Sequence, residues 1–132
     1  MKIVFANGCF DVIHIGHIKL LEFAKSQGDF LIVALDTDNK VRKAKGISRP
    51  FNNLEIRKEV LESIKYVDLV LDFDSDEALI NLFNILKPDI RVLGSDWQGK
   101  QIVGEHCIKN IKYFRRIDGF STTKILENSI DR

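Results

Sequence analysis

Hydrophobic residues occur along the chain in two alternating patterns. Short apolar-rich runs predict strands, and the continuous apolar, β-branched run 30–35 indicates a strand that is covered on both faces. These predicted strands are residues 2–6, 30–35, 67–73, 90–93 and 111–114. Between them, segments with apolar residues every three or four positions, or with helix-capping signals, predict helices. The predicted helices are residues 17–27 and 54–64, a helix that is capped by residues 74–76 and runs to about residue 86, and residues 102–110 and 124–130.

Regular alternation of strands and helices is typical of an α/β domain with a parallel sheet. We therefore predict one domain over residues 1–132, a three-layer sandwich whose five-stranded sheet is mostly parallel. The polar segments that follow strands should then gather at one edge, outside the carboxyl ends of the strands, where such sheets bind ligands. These segments are residues 7–17, 36–53, 94–100 and 115–123. The basic stretch 40–53 is long for such a small domain and is predicted to be a mobile functional loop.

Composition narrows the possible partners. The chain has 132 residues, 45% of them hydrophobic, and a formal net charge of +1. A protein held mainly by nucleic-acid phosphates would need a strong basic excess, so no nucleic-acid partner is expected. Two cysteines without a CxxC pair, no signal-peptide pattern and no long apolar run predict a cytoplasmic protein with no membrane contact.

The predicted ligand edge gathers mainly cations and hydrogen-bond donors. They are His14, His17, Lys43, Lys45, Arg49, Arg57, Arg115, Arg116, Ser121 and Thr122. Nearby carboxylates are Asp11, Asp36, Asp38, Asp96 and Asp118. The chain lacks a Walker motif, a G-x-G-x-x-G after the first strand and a G-x-S-x-G elbow. Phosphoryl or nucleotidyl transfer needs positioning and charge stabilisation more than covalent chemistry, and this set of groups suits it.

His14 and His17 stand where the first strand passes through a glycine-bearing turn into a helix. Imidazoles can donate protons near neutral pH, and a helix N-terminus attracts anions. A zinc site formed with Cys9 is the alternative, but without paired cysteines we predict no resident metal ligand.

Two motifs resemble those of the nucleotidyltransferase superfamily. His14-Ile15-Gly16-His17 is similar to its HxGH motif, and Arg116 to Thr123 is similar to its R-x-x-G-x-S-T-T segment. The resemblance covers nearly the whole chain and implies a Rossmann-like fold. It also implies direct attack by an acceptor phosphate on the α-phosphorus of CTP or ATP, with Mg²⁺ bound to the nucleotide phosphates.

Two branches of the superfamily compete. Residues 16–22 and 94–100 resemble glycerol-3-phosphate cytidylyltransferases, which we favour at this point. Residues 7–11, 45–50, 87–89 and 102–104 resemble heptose-1-phosphate adenylyltransferases, the alternative. Either product would be a precursor of a cell-surface polymer, and the resemblance also suggests a homodimer.

The resemblance implies three groups of site residues. Catalytic roles fall to His14, His17, Lys43, Lys45, Arg116 and Ser121. Nucleotide contacts fall to Gly8, Cys9, Phe10, Gly16, Gly94, Asp96, Arg116, Gly119, Ser121 and Thr122. Contacts to the phosphorylated acceptor fall to Asp11, Asp36, Arg57 and Lys65.

Some of these residues have simpler interpretations. Arg57 could pair with Glu55 or Glu59 on its own helix. Lys65 stands where the cytidylyltransferase pattern has Arg, which weakens its assignment because Lys lacks a bidentate fork. Trp97 could pack in the core or stack on a base. A nucleotide-binding module without turnover is the non-enzymatic alternative.

Overall fold

The computed structural model describes residues 1–115. Its strands are β1 (Ile3–Gly8), β2 (Phe30–Asp36), β3 (Leu69–Phe73), β4 (Ile90–Gly94) and β5 (Asn110–Phe114). They form one sheet in the order β3-β2-β1-β4-β5, and every pairing between neighbours is parallel. The predicted five-stranded parallel sheet is therefore confirmed.

The helices are α1 (Ile15–Ser26), α2 (Asp38–Lys45), α3 (Leu54–Glu62) and α4 (Asp76–Leu86), and residues Ser95–Trp97 form a single 3₁₀ turn. Short polar side chains begin three of them: Thr37, Asn53 and Ser75 each accept a hydrogen bond from a backbone N–H of the first turn. Such caps satisfy donors that a helix start leaves unpaired. None of the described helices has the length and apolar character needed to cross a bilayer.

Two hydrophobic layers cover the two faces of the sheet. On one face, Leu21 of α1 and Leu61 of α3 pack against strand residues such as Val33. On the other face, Leu79 and Phe83 of α4 belong to a separate cluster, which also contains Phe5 and Ile32 of the sheet and Ile108. The architecture is therefore the predicted three-layer sandwich, with the ends of the strands left for the site.

Strands β1 and β4 separate toward their carboxyl ends. The β1–β2 register continues to Gly8↔Leu35, whereas β1 pairs with β4 only at Val4↔Ile90 and Phe5↔Arg91. Chain connections leave β1 and β4 toward opposite sides of the sheet, so this separation is the switch point at which open α/β sheets bind ligands.

The predicted 40–53 loop is wrong in its first part, because residues Asp38–Lys45 form α2. Thr37 caps this helix, and Gly46, with φ +100°, ends it. Val41 is its one buried residue, so the helix has no apolar stripe by which periodicity could reveal it. The remaining connection is residues 46–53.

The helix predicted over residues 102–110 is also absent; the segment forms turns and then enters β5. Gly104 adopts φ +73°, outside the right-handed helical region, and Cys107 N–H donates to the Gly104 carbonyl. Buried Ile102 and Ile108 anchor the segment to the core without helical spacing. The predicted helix 124–130 lies outside the described residues.

Gly104→Ala should destabilise the protein more than Gly99→Ala. Both glycines have a positive φ, +73° and +80°, but a Cβ at Gly104 would lie 2.6 Å from the Phe83 ring, whereas nothing lies within 4 Å at Gly99. We expect a loss of about 1 kcal/mol for Gly99→Ala from backbone strain and about 1–3 kcal/mol more for Gly104→Ala from overpacking. Urea denaturation of both variants measures the difference, and equal losses would contradict the packing argument.

Candidate active site

A cavity of about 280 Å³ opens at the carboxyl ends of the strands, where β1 and β4 separate. We call it the first cavity, and a second cavity lies beside it at the same edge of the sheet. Its lining residues are Asn7, Gly8, Cys9, Phe10, Asp11, His14, Gly16, His17, Leu20, Lys45, Arg49, Gly94, Asp96, Trp97 and Phe114. Of the site residues predicted within the described part of the chain, most of the nucleotide-contacting group is therefore brought together here.

The turn between β1 and α1 has an unusual backbone. Phe10 adopts φ +48°, a conformation that is rare for a bulky residue and recurs at functional sites. Its buried ring lies against Gly8, where an added Cβ would be 3.2 Å from the ring. The same ring lies 5.4 Å from the imidazole of His17, measured between centroids. Phe10 therefore fixes the turn that carries the histidines.

The two histidines form a reciprocal cap at the start of α1. His14 Nδ1 accepts from Gly16 N–H at 3.0 Å, and His17 Nδ1 accepts from His14 N–H at 3.2 Å. The rings lie 3.9 Å apart between centroids. Because a neutral imidazole carries one proton, we assign it to Nε2 in both rings. Each histidine is thereby an Nε2–H donor at the helix start, a position that already favours anions.

The Asp11 carboxylate accepts hydrogen bonds from the connection between α2 and α3. Buried Asp11, 3% exposed, accepts from the backbone N–H groups of Phe51 and Asn52, both at 2.7 Å, and from Arg49 Nε at 3.2 Å. The Asn52 amide in turn donates to the Asp11 carbonyl at 3.0 Å. Asp11 was predicted to contact the acceptor, but these contacts show instead that it holds Arg49 and the 46–53 segment against the site.

Arg57 is buried, 1% exposed, and lines neither cavity at the ligand edge. Its Nη1 donates to the carbonyls of Cys9 at 3.0 Å and Asp36 at 2.8 Å, its Nε to Asn52 O at 3.0 Å, and its Nη2 to Asp38 Oδ1 at 2.6 Å. Every one of its three nitrogens is engaged inside the protein, so the contact between Arg57 and the acceptor stays a prediction that the described contacts do not support. The alternative pairing with Glu55 or Glu59 is replaced by Asp38.

Two predicted lysines lie outside the cavities. Lys65 precedes β3 and therefore lies at the amino edge of the sheet, where its ammonium sits 5.2 Å from the centroid of the Tyr66 ring. The chain's own site is at the opposite edge, so the predicted acceptor contact from Lys65 is not made there. Lys43 is exposed on α2 and lines neither cavity, whereas Lys45, at the end of the same helix, lines both.

A second cavity of about 330 Å³ adjoins the first on the α4 side. Its lining residues are Asn7, Gly8, Cys9, Asp36, Lys40, Lys45, Phe73, Asp76, Leu79, Arg91, Leu93, Trp97, Gln101, Ile102 and Val103. Burial raises the pKa of the Asp36 carboxyl. Lys40 Nζ lies 3.3 Å from Asp76 Oδ1 and forms an ion pair with it. Burial also raises the pKa of the Cys9 thiol, which disfavours a thiolate nucleophile at neutral pH.

Trp97 and Gly94 shape the boundary of the cavities. Trp97 lines both and is 46% exposed, which favours the base-stacking interpretation over core packing. A Cβ at Gly94 would lie 2.7 Å from Asp96 Oδ1, so the absence of a side chain lets the Asp96 carboxylate fold back beside β4.

Three residues that line the cavities are absent from the predicted site residues: Asn7, Lys40 and Arg91. Asn7 was interpreted as the start of a loop, and Lys40 belongs to the unpredicted helix α2. Arg91 carried a signal that could have been used: it is a charged residue in the middle of an apolar run that predicts a buried strand. The predicted site residues Arg116, Gly119, Ser121 and Thr122 lie outside the described residues.

Within residues 1–115 there is no cluster of three side chains suited to holding a metal ion. The first cavity has two carboxylates, and the oxygens of Asp11 already accept three hydrogen bonds. Mg²⁺ commonly binds through substrate phosphates, waters and only one or two carboxylates. The residues of the first cavity therefore fit a magnesium ion that is bound mainly by the phosphates of a nucleotide. Of the two carboxylates, Asp96 is the one that would contact such an ion.

Comparison with known proteins gives consistent matches. Residues 5–128 match the family described as "Cytidylyltransferase-like". "Bifunctional protein HldE" of Aliarcobacter butzleri is 44% identical over 126 residues, which is 96% of this chain and 26% of that protein. The protein of the same name from Campylobacter jejuni (strain RM1221) is 47% identical over 131 residues, 99% of this chain and 28% of that protein. The chain thus spans about a quarter of the length of these relatives.

Solved structures agree with the fold. A lipopolysaccharide core biosynthesis protein from Thermoplasma volcanium superposes with a TM-score of 0.74 at 27% identity, over 89% of this chain and 99% of that chain. A pantoate-beta-alanine ligase from Francisella tularensis superposes with a TM-score of 0.64 at 22% identity, over 96% of this chain and 65% of that chain, and supports the fold alone. The Rossmann-like fold is confirmed.

Arg57→Lys should lower the free energy of unfolding by about 3 kcal/mol, because an ammonium cannot span the acceptors that the buried guanidinium joins. Because the substitution keeps the positive charge, the loss of stability measures the contribution of the planar guanidinium and its several hydrogen bonds. Urea denaturation measures it. Arg42→Lys is the matched control, since the exposed Arg42 side chain donates, among the described residues, to Asn39 Oδ1 and should change stability by less than about 0.5 kcal/mol. Similar losses in both variants would be inconsistent with the proposed role.

Asp11→Asn should loosen the 46–53 segment while the fold persists. An amide offers one acceptor oxygen and turns an N–H group toward a backbone donor, so we expect a loss of about 1–3 kcal/mol. Hydrogen exchange should become faster at the amides of Phe51 and Asn52. Asp72→Asn, at an exposed pair with Lys58, is the control. Unchanged exchange at these two amides would show that Asp11 does not hold the segment.

Proposed function

Because the chain belongs to the cytidylyltransferase-like family, we propose that it transfers an adenylyl group from ATP to a sugar 1-phosphate of the heptose type and releases pyrophosphate. The observation that carries the transfer chemistry is the histidine cap. In both His14 and His17, Nδ1 accepts a hydrogen bond from the backbone, so each imidazole carries its proton on Nε2. Both histidines line the first cavity at the N-terminus of α1, together with the cations Lys45 and Arg49.

The relatives support ATP and a heptose phosphate over the cytidylyltransferase assignment that the sequence favoured. Relatives at 44% and 47% identity carry the name HldE, which corresponds to the heptose-1-phosphate adenylyltransferase branch. The lipopolysaccharide core protein that shares the fold is consistent with the same branch. The segments 16–22 and 94–100, which resemble the cytidylyltransferase branch, lie in the first turns of α1 and around the 3₁₀ turn.

The chemistry requires little of the protein beyond placement. A phosphate oxygen of the acceptor attacks the α-phosphorus, the bond from that phosphorus to the bridging oxygen breaks, and pyrophosphate leaves. The attacking oxygen is already anionic at neutral pH, so no general base is needed. The Nε2–H groups of His14 and His17 stabilise the negative charge that develops on the α-phosphate oxygens. Lys45 and Arg49, which line the same cavity, add positive charge.

Mg²⁺, when bound with the nucleotide, would neutralise charge on the phosphates of the leaving group. Asp96 is the residue of the described cavity that would approach it. Arg116, Ser121 and Thr122 remain predicted contacts to the β- and γ-phosphates on the basis of the resemblance. The expected homodimer and the absence of nucleic-acid partners likewise stay predictions.

We assign the nucleotide to the first cavity and the acceptor to the second. The first has the histidines, the start of α1 and the exposed face of Trp97. The second has the carboxylates of Asp36 and Asp76, which can accept hydrogen bonds from sugar hydroxyls, beside Lys40. The cavities share Asn7, Gly8, Cys9, Lys45 and Trp97, so two ligands bound in this way would meet at β1.

A crossed screen of ATP and CTP against heptose 1-phosphate and glycerol 3-phosphate, read as pyrophosphate release with Mg²⁺, tests the proposal. We expect turnover with ATP and heptose 1-phosphate. His17→Ala should lower kcat by about 10²–10³-fold, because it removes one donor to the developing charge, while ATP affinity changes less. Exposed His106, which lines neither cavity, supplies the control His106→Ala.

The outcomes separate the alternatives. Turnover confined to CTP and glycerol 3-phosphate would restore the cytidylyltransferase assignment. Saturable ATP binding without pyrophosphate from any pair would instead indicate a nucleotide-binding module. Equal loss of activity in His17→Ala and His106→Ala would remove the histidine cap from the mechanism.

A further inference from the structure

Arg91 is a buried cation at the point where β1 and β4 part. It is 2% exposed and is the β4 partner in the last β1–β4 pair, Phe5↔Arg91. Its guanidinium lies 4.9 Å from the centroid of the Phe83 ring, inside the layer that α4 forms with the sheet. Arg91 also lines the second cavity. A charged group therefore lies in the core between a hydrophobic cluster and a cavity.

Only some of the N–H donors of this guanidinium have hydrogen-bond partners among the described residues. Nη1 donates to the Val103 carbonyl at 2.6 Å and Nη2 to Asn7 Oδ1 at 2.9 Å. Buried Nε has no hydrogen-bond partner within the described range. No carboxylate of residues 1–115 forms an ion pair with Arg91, in contrast to Arg57 and its partner Asp38. Both of its acceptors are neutral.

A buried charge without a counter-charge is unfavourable, because desolvation is not offset by an opposite charge. Burial accordingly lowers the pKa of Arg91, although an arginine remains protonated at neutral pH. An anion in the second cavity would supply what is missing. Guanidinium groups suit phosphate in particular, through charge-assisted hydrogen bonds of matching geometry.

Arg91 also determines how Asn7 is turned. A guanidinium has only donors, so the group that Asn7 directs at it must be the amide oxygen. The amide NH₂ is then the part of Asn7 that remains for a ligand. Asn7 lines both cavities, so this donor stands at their boundary. An acceptor phosphate must reach the same boundary to attack a nucleotide in the first cavity.

We propose that Arg91 and Asn7 form a phosphate-recognition pair at the inner end of the second cavity, which selects acceptors by their phosphate monoester. Arg91 supplies the counter-charge and Asn7 an oriented N–H donor. The inference rests on the proposed function for the identity of the acceptor, but phosphate binding by the pair does not depend on turnover.

A structural role for Arg91 is the competing explanation, in which it merely ties the Val103 carbonyl to Asn7. Such a tie would stabilise the 102–108 segment and would be indifferent to anions. The two explanations differ in what phosphate does: a recognition pair gains a partner from it, and a tie does not. Binding of a small anion therefore separates them better than activity.

Inorganic phosphate is the first probe. Calorimetric titration of the full chain, alone and loaded with Mg²⁺ and a non-hydrolysable ATP analogue, should show phosphate binding in both states. Arg91→Met, which keeps an unbranched apolar stem, should weaken this binding by at least about tenfold. Arg42→Met removes an exposed arginine that lines neither cavity and should stay within about twofold of the wild type.

Heptose 1-phosphate and free heptose are the second pair of probes. Arg91→Met should lower the affinity for heptose 1-phosphate by about the same factor as the affinity for inorganic phosphate. The affinity for free heptose should not change. In turnover, the KM for the acceptor should rise at least about tenfold while the KM for ATP changes little. Absence of phosphate binding in the wild type, or equal affinity in Arg91→Met and Arg42→Met, would overturn the inference.

Asn7→Asp keeps the proposal testable if Arg91→Met does not fold. A carboxylate at residue 7 would supply the counter-charge within the protein, so the melting temperature should rise and phosphate affinity should fall by at least about tenfold. Asn81→Asp adds the same charge at an exposed position of α4 as the control. Phosphate affinity in Asn7→Asp equal to that in Asn81→Asp would contradict the recognition pair.

Failure of the two proposals can be distinguished. Turnover with phosphate binding that is indifferent to Arg91 would remove only the recognition pair. Arg91-dependent phosphate binding without turnover in any nucleotide and acceptor combination would remove the proposed enzyme and leave the phosphate site.

Discussion

The geometry of the ligand edge depends on the buried guanidinium of Arg57. It bonds to the carbonyls of Cys9, Asp36 and Asn52 and to the carboxylate of Asp38. These acceptors belong to the β1–α1 turn, the end of β2, the start of α2 and the connection before α3. Carbonyls at strand ends lack sheet partners, and a buried carbonyl without a donor is unfavourable. One planar side chain therefore satisfies several such groups at once and fixes the segments that carry the site relative to one another.

The separation of β1 and β4 then gives this fixed edge its two cavities. The β1–β4 pairing ends at Phe5↔Arg91, while β1 remains paired with β2 as far as Gly8. Side chains alternate across the faces of a strand, so residues at the separation reach toward either side of the sheet. The histidine cap of α1 borders one cavity, and Arg91 borders the other, on the α4 side. Under the proposed function, these two cavities with their shared lining residues would hold the two phosphate-bearing substrates.

Much of this fold follows from sequence patterns, and the exceptions have physical causes. Strands β1, β2 and β4 bury apolar runs, and helices α1 and α4 bury apolar residues at helical spacing, which the sequence displays directly. Helix α2 buries only Val41, so nothing in its polar sequence distinguishes it from a loop. The expectation that ligands bind outside the carboxyl ends of parallel strands placed His14, His17 and Lys45 at the edge where they are found. It could not separate Arg57, which turns inward, from a ligand-facing cation, because direction depends on acceptors distant in sequence.

The contrast between Arg57 and Arg91 indicates how such cases can be decided once a structure is known. Both are 1–2% exposed, and both donate to backbone carbonyls. Arg57 has a carboxylate partner and three engaged nitrogens, so its charge is accounted for inside the fold. Arg91 has neutral acceptors, an unpartnered Nε among the described residues and a cavity beside it. Burial alone would class both as structural. The presence or absence of a counter-charge separates an arginine that completes the fold from one that an anionic ligand completes.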